Sequence, residues 1–97
     1  MEQEQKYYIV RAHGAGVFFG QIKSRTGSEV TMTNVRRLYY WEGATDCSQL
    51  AAEGVKKPDE CKFTMTVDEI VLIDVVEIQP CTANAVVSLK GVKEWKV

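Results

Sequence analysis

One histidine, two prolines and three cysteines among 97 residues are the first scarcities, and each excludes something. A lone His13 leaves metal binding and imidazole catalysis without a second ring or an identifiable base to work with. Cys47, Cys61 and Cys81 are odd in number, widely spaced and free of any C-x-x-C pair. Free, partly buried thiols are therefore expected, not disulfides or zinc ligands. No apolar run approaches the roughly 18 residues a membrane span requires. The start, Met1-Glu2-Gln3-Glu4-Gln5-Lys6, has no hydrophobic segment, so a signal peptide is not expected. A frayed tail over 1–5 and a cytoplasmic setting are expected instead. Also missing are G-x-S-x-G, H-E-x-x-H, P-loop and dinucleotide signatures, and carboxylates at hydrolase-like spacing. No cofactor is expected, and an enzyme is not the favoured reading.

A net charge of −1 argues against general nucleic-acid binding. The balance is uneven along the chain. Residues 1–41 carry six basic side chains against three acids, and residues 42–97 carry six lysines against ten acids. A basic front half can steer a small anion or an acidic partner.

What is present reads as one domain over residues 1–97, with 45% hydrophobic and 26% charged residues. Tyr7–Ala12 is predicted as a strand, His13-Gly14-Ala15-Gly16 as a turn and Val17–Lys23 as the returning strand. Gly20 inside that strand signals a bulge or a close backbone approach. Glu29–Thr33 and Arg36–Trp41 follow as strands separated by a bend at Asn34. Asp46 or Thr45 caps a helix over Cys47–Glu53, with Gln49 in the capping-box position and Gly54 at its end. Cys61–Thr66 is a short strand. Ile70–Ile78, apolar on both faces, is predicted as the central strand. Its Asp74 calls for a bulge that exposes it or a cation that meets it. Thr82 caps a second helix over Ala83–Leu89, stopped by Gly91, and Val92–Val97 closes the sheet as an edge strand. The expected class is mainly β, a small barrel or strongly curved antiparallel sheet with two short helices.

The most informative stretch is Val35-Arg36-Arg37-Leu38-Tyr39-Tyr40-Trp41-Glu42-Gly43-Ala44. As a strand it places Arg37, Tyr39 and Trp41 on one face and Arg36, Leu38 and Tyr40 on the other. Guanidinium groups fork onto phosphate or carboxylate, and neighbouring rings stack on a base. Arg36 and Arg37 are the expected phosphate contacts and Tyr39 and Trp41 the stacking groups, with Arg11 or His13 in support. The alternative is that the rings are core and the arginine stems lie over them.

The Arg36-Arg37-x-x-x-Trp41-x-Gly43-Ala44 pattern resembles a family of small proteins encoded by tailed bacteriophages and prophages. The likeness extends to Gly16-Val17-Phe18-Phe19-Gly20, Ser24-Arg25-x-Gly27-x-Glu29-Val30, Ser48-Gln49-Leu50-Ala51 and Pro80-Cys81-Thr82. It supplies a viral origin and no catalytic residues. Compact phage proteins that act in the host cytoplasm often counter defence, some as oligomeric sponges for a nucleotide immune messenger. The resemblance thus implies a non-enzymatic, homo-oligomeric binder of a small anionic, nucleotide-like ligand. A virion accessory or host-factor interaction protein, using the same strand as a protein-contact patch, is the alternative.

Overall fold

The structure, a computed structural model, describes residues 6–97, so the tail expected over 1–5 lies outside the described residues. Strands β1 (Tyr8–Ala12) and β2 (Gly16–Thr26) form the expected hairpin. Gly14 and Gly16 turn it at φ of 83° and 109°, where a side chain would be strained. β3 (Glu29–Tyr40) is one continuous strand where two were expected, because Asn34 bulges instead of breaking it.

At Asn34 φ is 47°, and the β2–β3 register slips by one residue between the pairs Phe19↔Arg36 and Gln21↔Thr33. The extra residue reverses the alternation of side chains. Val30 and Met32 therefore share a core with Val35, while Arg36 and Leu38 turn to the opposite face. Gly20 faces this bulge so closely that a Cβ there would lie 2.8 Å from the Val35 Cα.

Helix α1 (Cys47–Glu53) is capped as predicted, with the Asp46 carboxylate accepting the Gln49 N–H at 3.1 Å. The Gln49 side chain reaches back to accept the Thr45 N–H at 2.9 Å. A 3-10 turn over Pro58–Glu60 leads into β4 (Lys62–Phe63), shorter than the strand expected over Cys61–Thr66. β5 (Val67–Leu72) and β6 (Val75–Pro80) replace the predicted single central strand. The run reverses at Ile73-Asp74, with Asp74 at φ 60°, a conformation aspartate tolerates better than most residues. Both halves are edge strands among the described residues, β5 pairing with β3 and β6 with β1. Asp74 is exposed on that turn and needs no cation. Helix α2 (Ala83–Lys90) is capped by the Thr82 hydroxyl, which accepts the Ala85 N–H at 3.1 Å.

The sheet is antiparallel, ordered β4-β3-β2-β1-β6, with β5 beside the first half of β3 and β4 beside its end. Laid flat, β5 and β6 would stand four strand spacings apart, about 19 Å. Yet only Ile73 and Asp74 separate Leu72 from Val75, a link that reaches about 11 Å at most. The sheet must curl. Its corner is stitched by Val75 N–H to the Ser28 carbonyl and His13 N–H to the Asp74 carbonyl, each 2.9 Å. β5 and β6 share no ladder, so the curled sheet stays open and is not a closed barrel.

Two cores result. One lies among the strands alone, around Val10, Phe18, Met32, Val35 and Leu72. The other packs Ile9, Phe19, Leu38 and Phe63 under Leu50 of α1 and Leu89 of α2. Residues 92–97 form no closing strand; they make a single parallel bridge, Glu94 to Phe63, with the Trp95 N–H donating to the Phe63 carbonyl at 2.8 Å. Among the described residues no helix is long and apolar enough to cross a membrane.

Candidate functional site

The bulge at Asn34 decides which of the two adjacent arginines is available to a ligand. Arg36 points into the helix-side core and is 4% exposed. Its Nε donates to the Thr64 carbonyl at 3.0 Å and its Nη1 to the carbonyls of Leu89 and Val92 at 3.1 and 2.9 Å. Nη2 reaches the Phe63 carbonyl at 3.4 Å, and the guanidinium lies 5.2 Å over the Phe63 ring. Burial pulls the Arg36 pKa below its ordinary value, with Glu94 opposing the shift. The expected open phosphate contact is thus a structural clamp that ties β3 to β4 and to the end of α2. Alternation put Arg36 on the face with Leu38, and that face is the helix-side core, a place where a guanidinium is rarely buried.

Arg37 turns the other way and is exposed, its guanidinium 4.8 Å over the Phe18 ring. Tyr39, two residues on, is 62% exposed and stacks on Trp95 with ring centroids 4.9 Å apart and planes 16° from parallel. The Lys62 ammonium lies 5.5 Å over the same Trp95 ring. Tyr39 thus joins two side chains that the sequence did not nominate, while a register shift between Leu38 and Tyr40 interrupts the alternation linking it to Arg37. Lys62 and Trp95 arrive through the Phe63–Glu94 bridge, a contact 31 positions apart with no local signal in the chain.

Trp41 does not join them. β3 ends at Tyr40, and Trp41 packs beside the helix-side core. It meets Arg11 in a cleft of about 370 Å³ whose walls include Ser48, Asp46 and Glu77. There Arg11 is already occupied, its Nε 2.9 Å from Glu77 Oε1. The hydrogen bond from Arg11, helped by Gln79, holds the Glu77 carboxyl below its usual pKa. With two carboxylates against one guanidinium, this cleft favours neutral or cationic guests over an anion. His13 sits at the tip of the β1–β2 hairpin, exposed. Of the six expected contact residues, Arg11 and Trp41 line one cleft, Arg37 and Tyr39 are exposed near the end of β3 on different rings, and Arg36 and His13 lie apart.

Tyr40, 45% exposed, donates its hydroxyl to Glu42, which raises its pKa. The three cysteines are free thiols. Burial pushes Cys81 up to about 12 and raises Cys47 and Cys61, so none is poised as a thiolate. Among the described residues no group of three or more His, Cys, Asp or Glu side chains is placed to hold a metal ion.

A family model described as "Domain of unknown function (DUF6948)" matches residues 5–89, and the chain belongs to that family. No curated protein and no solved structure matches it.

Proposed function

We propose that this family member is a non-enzymatic binding protein whose Arg37–Tyr39–Lys62–Trp95 face holds a small anionic, ring-bearing ligand. One observation carries the reading. Four cations, Arg36, Arg37, Lys62 and Lys90, lie over aromatic rings, and none of them has a carboxylate within ion-pair distance among the described residues, although Glu94 acts on Arg36 from farther off. Arg11, Lys23, Lys56 and Lys96, by contrast, each pair with a glutamate. Lys6, Arg25, Lys57 and Lys93 have neither a ring nor a carboxylate partner among the described residues, but where cations and rings do coincide the pairing is the chemistry of a phosphate joined to a base. On the open face Arg37 and Lys62 supply charge, and the Tyr39–Trp95 stack supplies a surface on which a further ring can lie.

The resemblance to phage proteins gives this chemistry a setting: a phage-encoded sponge, acting as a homo-oligomer in the host cytoplasm, that sequesters a nucleotide messenger of immunity. The test is a thermal-shift screen against cyclic nucleotides and ADP-ribose derivatives. A ligand at a hundred times its Kd adds about 2.7 kcal/mol, or about 10 °C or more for a domain of this size. The reading expects such a shift, its loss in Arg37→Ala, and recovery of the ligand unaltered after heating. A silent panel, or a chemically changed ligand, contradicts it.

The alternative is a protein-contact patch, supported by the exposure of Tyr39 and Trp95 at 62% and 45%. Tyr, Trp and Arg are the residues that dominate interface energetics, and the unpaired Lys62 and Arg37 favour an acidic partner. A face that ignores the nucleotide panel and loses a co-purifying acidic protein in Tyr39→Ala belongs to this second reading.

A further inference from the structure

On the opposite side of β3 from Arg37, a cleft of about 270 Å³ is lined by Tyr7, Phe19, Asn34, Arg36, Thr66 and Lys90. Its wall holds two cations and no carboxylate. The Tyr7 and Phe19 rings stack at 5.0 Å with planes 21° apart, and the Lys90 ammonium sits 4.5 Å over Tyr7. Arg36, 4% exposed, is a buried charge held by main-chain carbonyls, with Glu94 acting on it only from beyond ion-pair distance. A guanidinium carries five N–H groups, and the four bonds described leave one Nη2 hydrogen without an acceptor among the described residues.

Buried charge is costly unless an opposite charge meets it. Carbonyl dipoles offset the cost only in part, which is why the Arg36 pKa falls despite four acceptors. The cheapest remaining compensation is an anion from solvent, placed where a second cation already waits. Lys90 is that second cation, exposed and free of any carboxylate among the described residues. Thr66 adds a hydroxyl to the lining, while the Asn34 amide already donates to the Gln21 side chain.

We infer that this cleft is a second binding site, for a compact oxyanion of the phosphate class, separate from the Arg37–Tyr39 face. Its volume lies below the roughly 300–1,000 Å³ of pockets for drug-sized molecules, so it takes a charged head group and not a whole nucleotide. The stacked rings exclude water beside the anion and raise the worth of each charge. Because Arg36 also clamps Thr64, Leu89 and Val92, an anion there tightens the junction of β3, β4 and the end of α2.

The experiment uses inorganic phosphate, with sodium chloride at matched ionic strength as control, read by thermal shift and isothermal titration calorimetry. Wild-type protein is expected to be stabilised by phosphate beyond the chloride control. Lys90→Gln, a change at an exposed position, is expected to weaken phosphate about tenfold or more. Lys57→Gln, at an exposed position in neither proposed site, should leave it unchanged. Equal responses to phosphate and chloride, or full phosphate binding in Lys90→Gln, overturn the site. Ribose 5-phosphate then separates the two sources of the group: tighter binding than phosphate assigns an esterified phosphate, equal binding the free ion. Because inorganic phosphate carries no ring, this result stands or falls independently of the nucleotide screen.

Discussion

Replacing Arg36 by methionine, and separately Arg37 by methionine, should give very different proteins although the two residues are neighbours in the chain. Arg36 satisfies four carbonyls. That of Phe63 keeps another donor, the Trp95 N–H at 2.8 Å, so three are orphaned: Thr64, Leu89 and Val92. At about 1 kcal/mol for each orphaned buried carbonyl, the loss is about 3 kcal/mol. Methionine preserves much of the apolar stem, and removing a buried charge returns part of its desolvation cost, so a loss much above this is not expected. Arg37→Met keeps the contact with Phe18 and forfeits only an exposed cation–ring attraction, about 0.5–1 kcal/mol. Urea unfolding followed by tryptophan fluorescence measures both. In thermal terms the difference is about 12–24 °C for Arg36→Met against about 8 °C or less for Arg37→Met. Equal losses, or a loss under about 1 kcal/mol at Arg36, would refute the assignment of one arginine to the interior and the other to the surface.

Gly20→Ala should cost about 2 kcal/mol, since its Cβ would press the Val35 backbone at 2.8 Å; an unchanged melting temperature would deny the close approach. The depressed Glu77 pKa gives a signed pH effect. Stability from the Arg11 pair is present above the unfolded carboxyl pKa and lost as pH falls through the lower folded one. Denaturation midpoints should therefore drop between about pH 5 and pH 3, by an amount kept small by exposure of the pair, and less so in Glu77→Gln. Cys81, with its pKa near 12, should resist iodoacetamide at pH 8 in the folded protein and react on unfolding, as followed by mass spectrometry.

The readable parts of the fold were those governed by short-range chemistry. Gly14 and Gly16, the Asp46 and Thr82 caps and the Gly54 stop each act within a few residues, and each lies where the sequence pointed. Gly20 and Asn34 were flagged one by one, but only their opposition across β2 and β3 shows that together they make a bulge. The Ile70–Ile78 run misled because continuous apolar residues usually mean burial on both faces. Here Val71, Ile73 and Val76 are exposed, and Asp74 folds the run back into two edges. The same limit applied to the site. Alternation along β3 grouped Arg37, Tyr39 and Trp41, but the register shifts between Leu38 and Tyr40 and the strand ends one residue before Trp41. Lys62, Trp95 and Lys90 reach their rings only through tertiary contacts, and no local spacing announces them.

A titration of isotopically labelled protein, followed by amide and indole resonances in NMR spectra, bears most directly on the open cationic face. With cyclic nucleotides or ADP-ribose the account predicts saturable shifts centred on Arg37, Tyr39, Lys62 and the Trp95 indole N–H. Shifts confined to the Arg11–Trp41 cleft, or none at millimolar ligand, would contradict it.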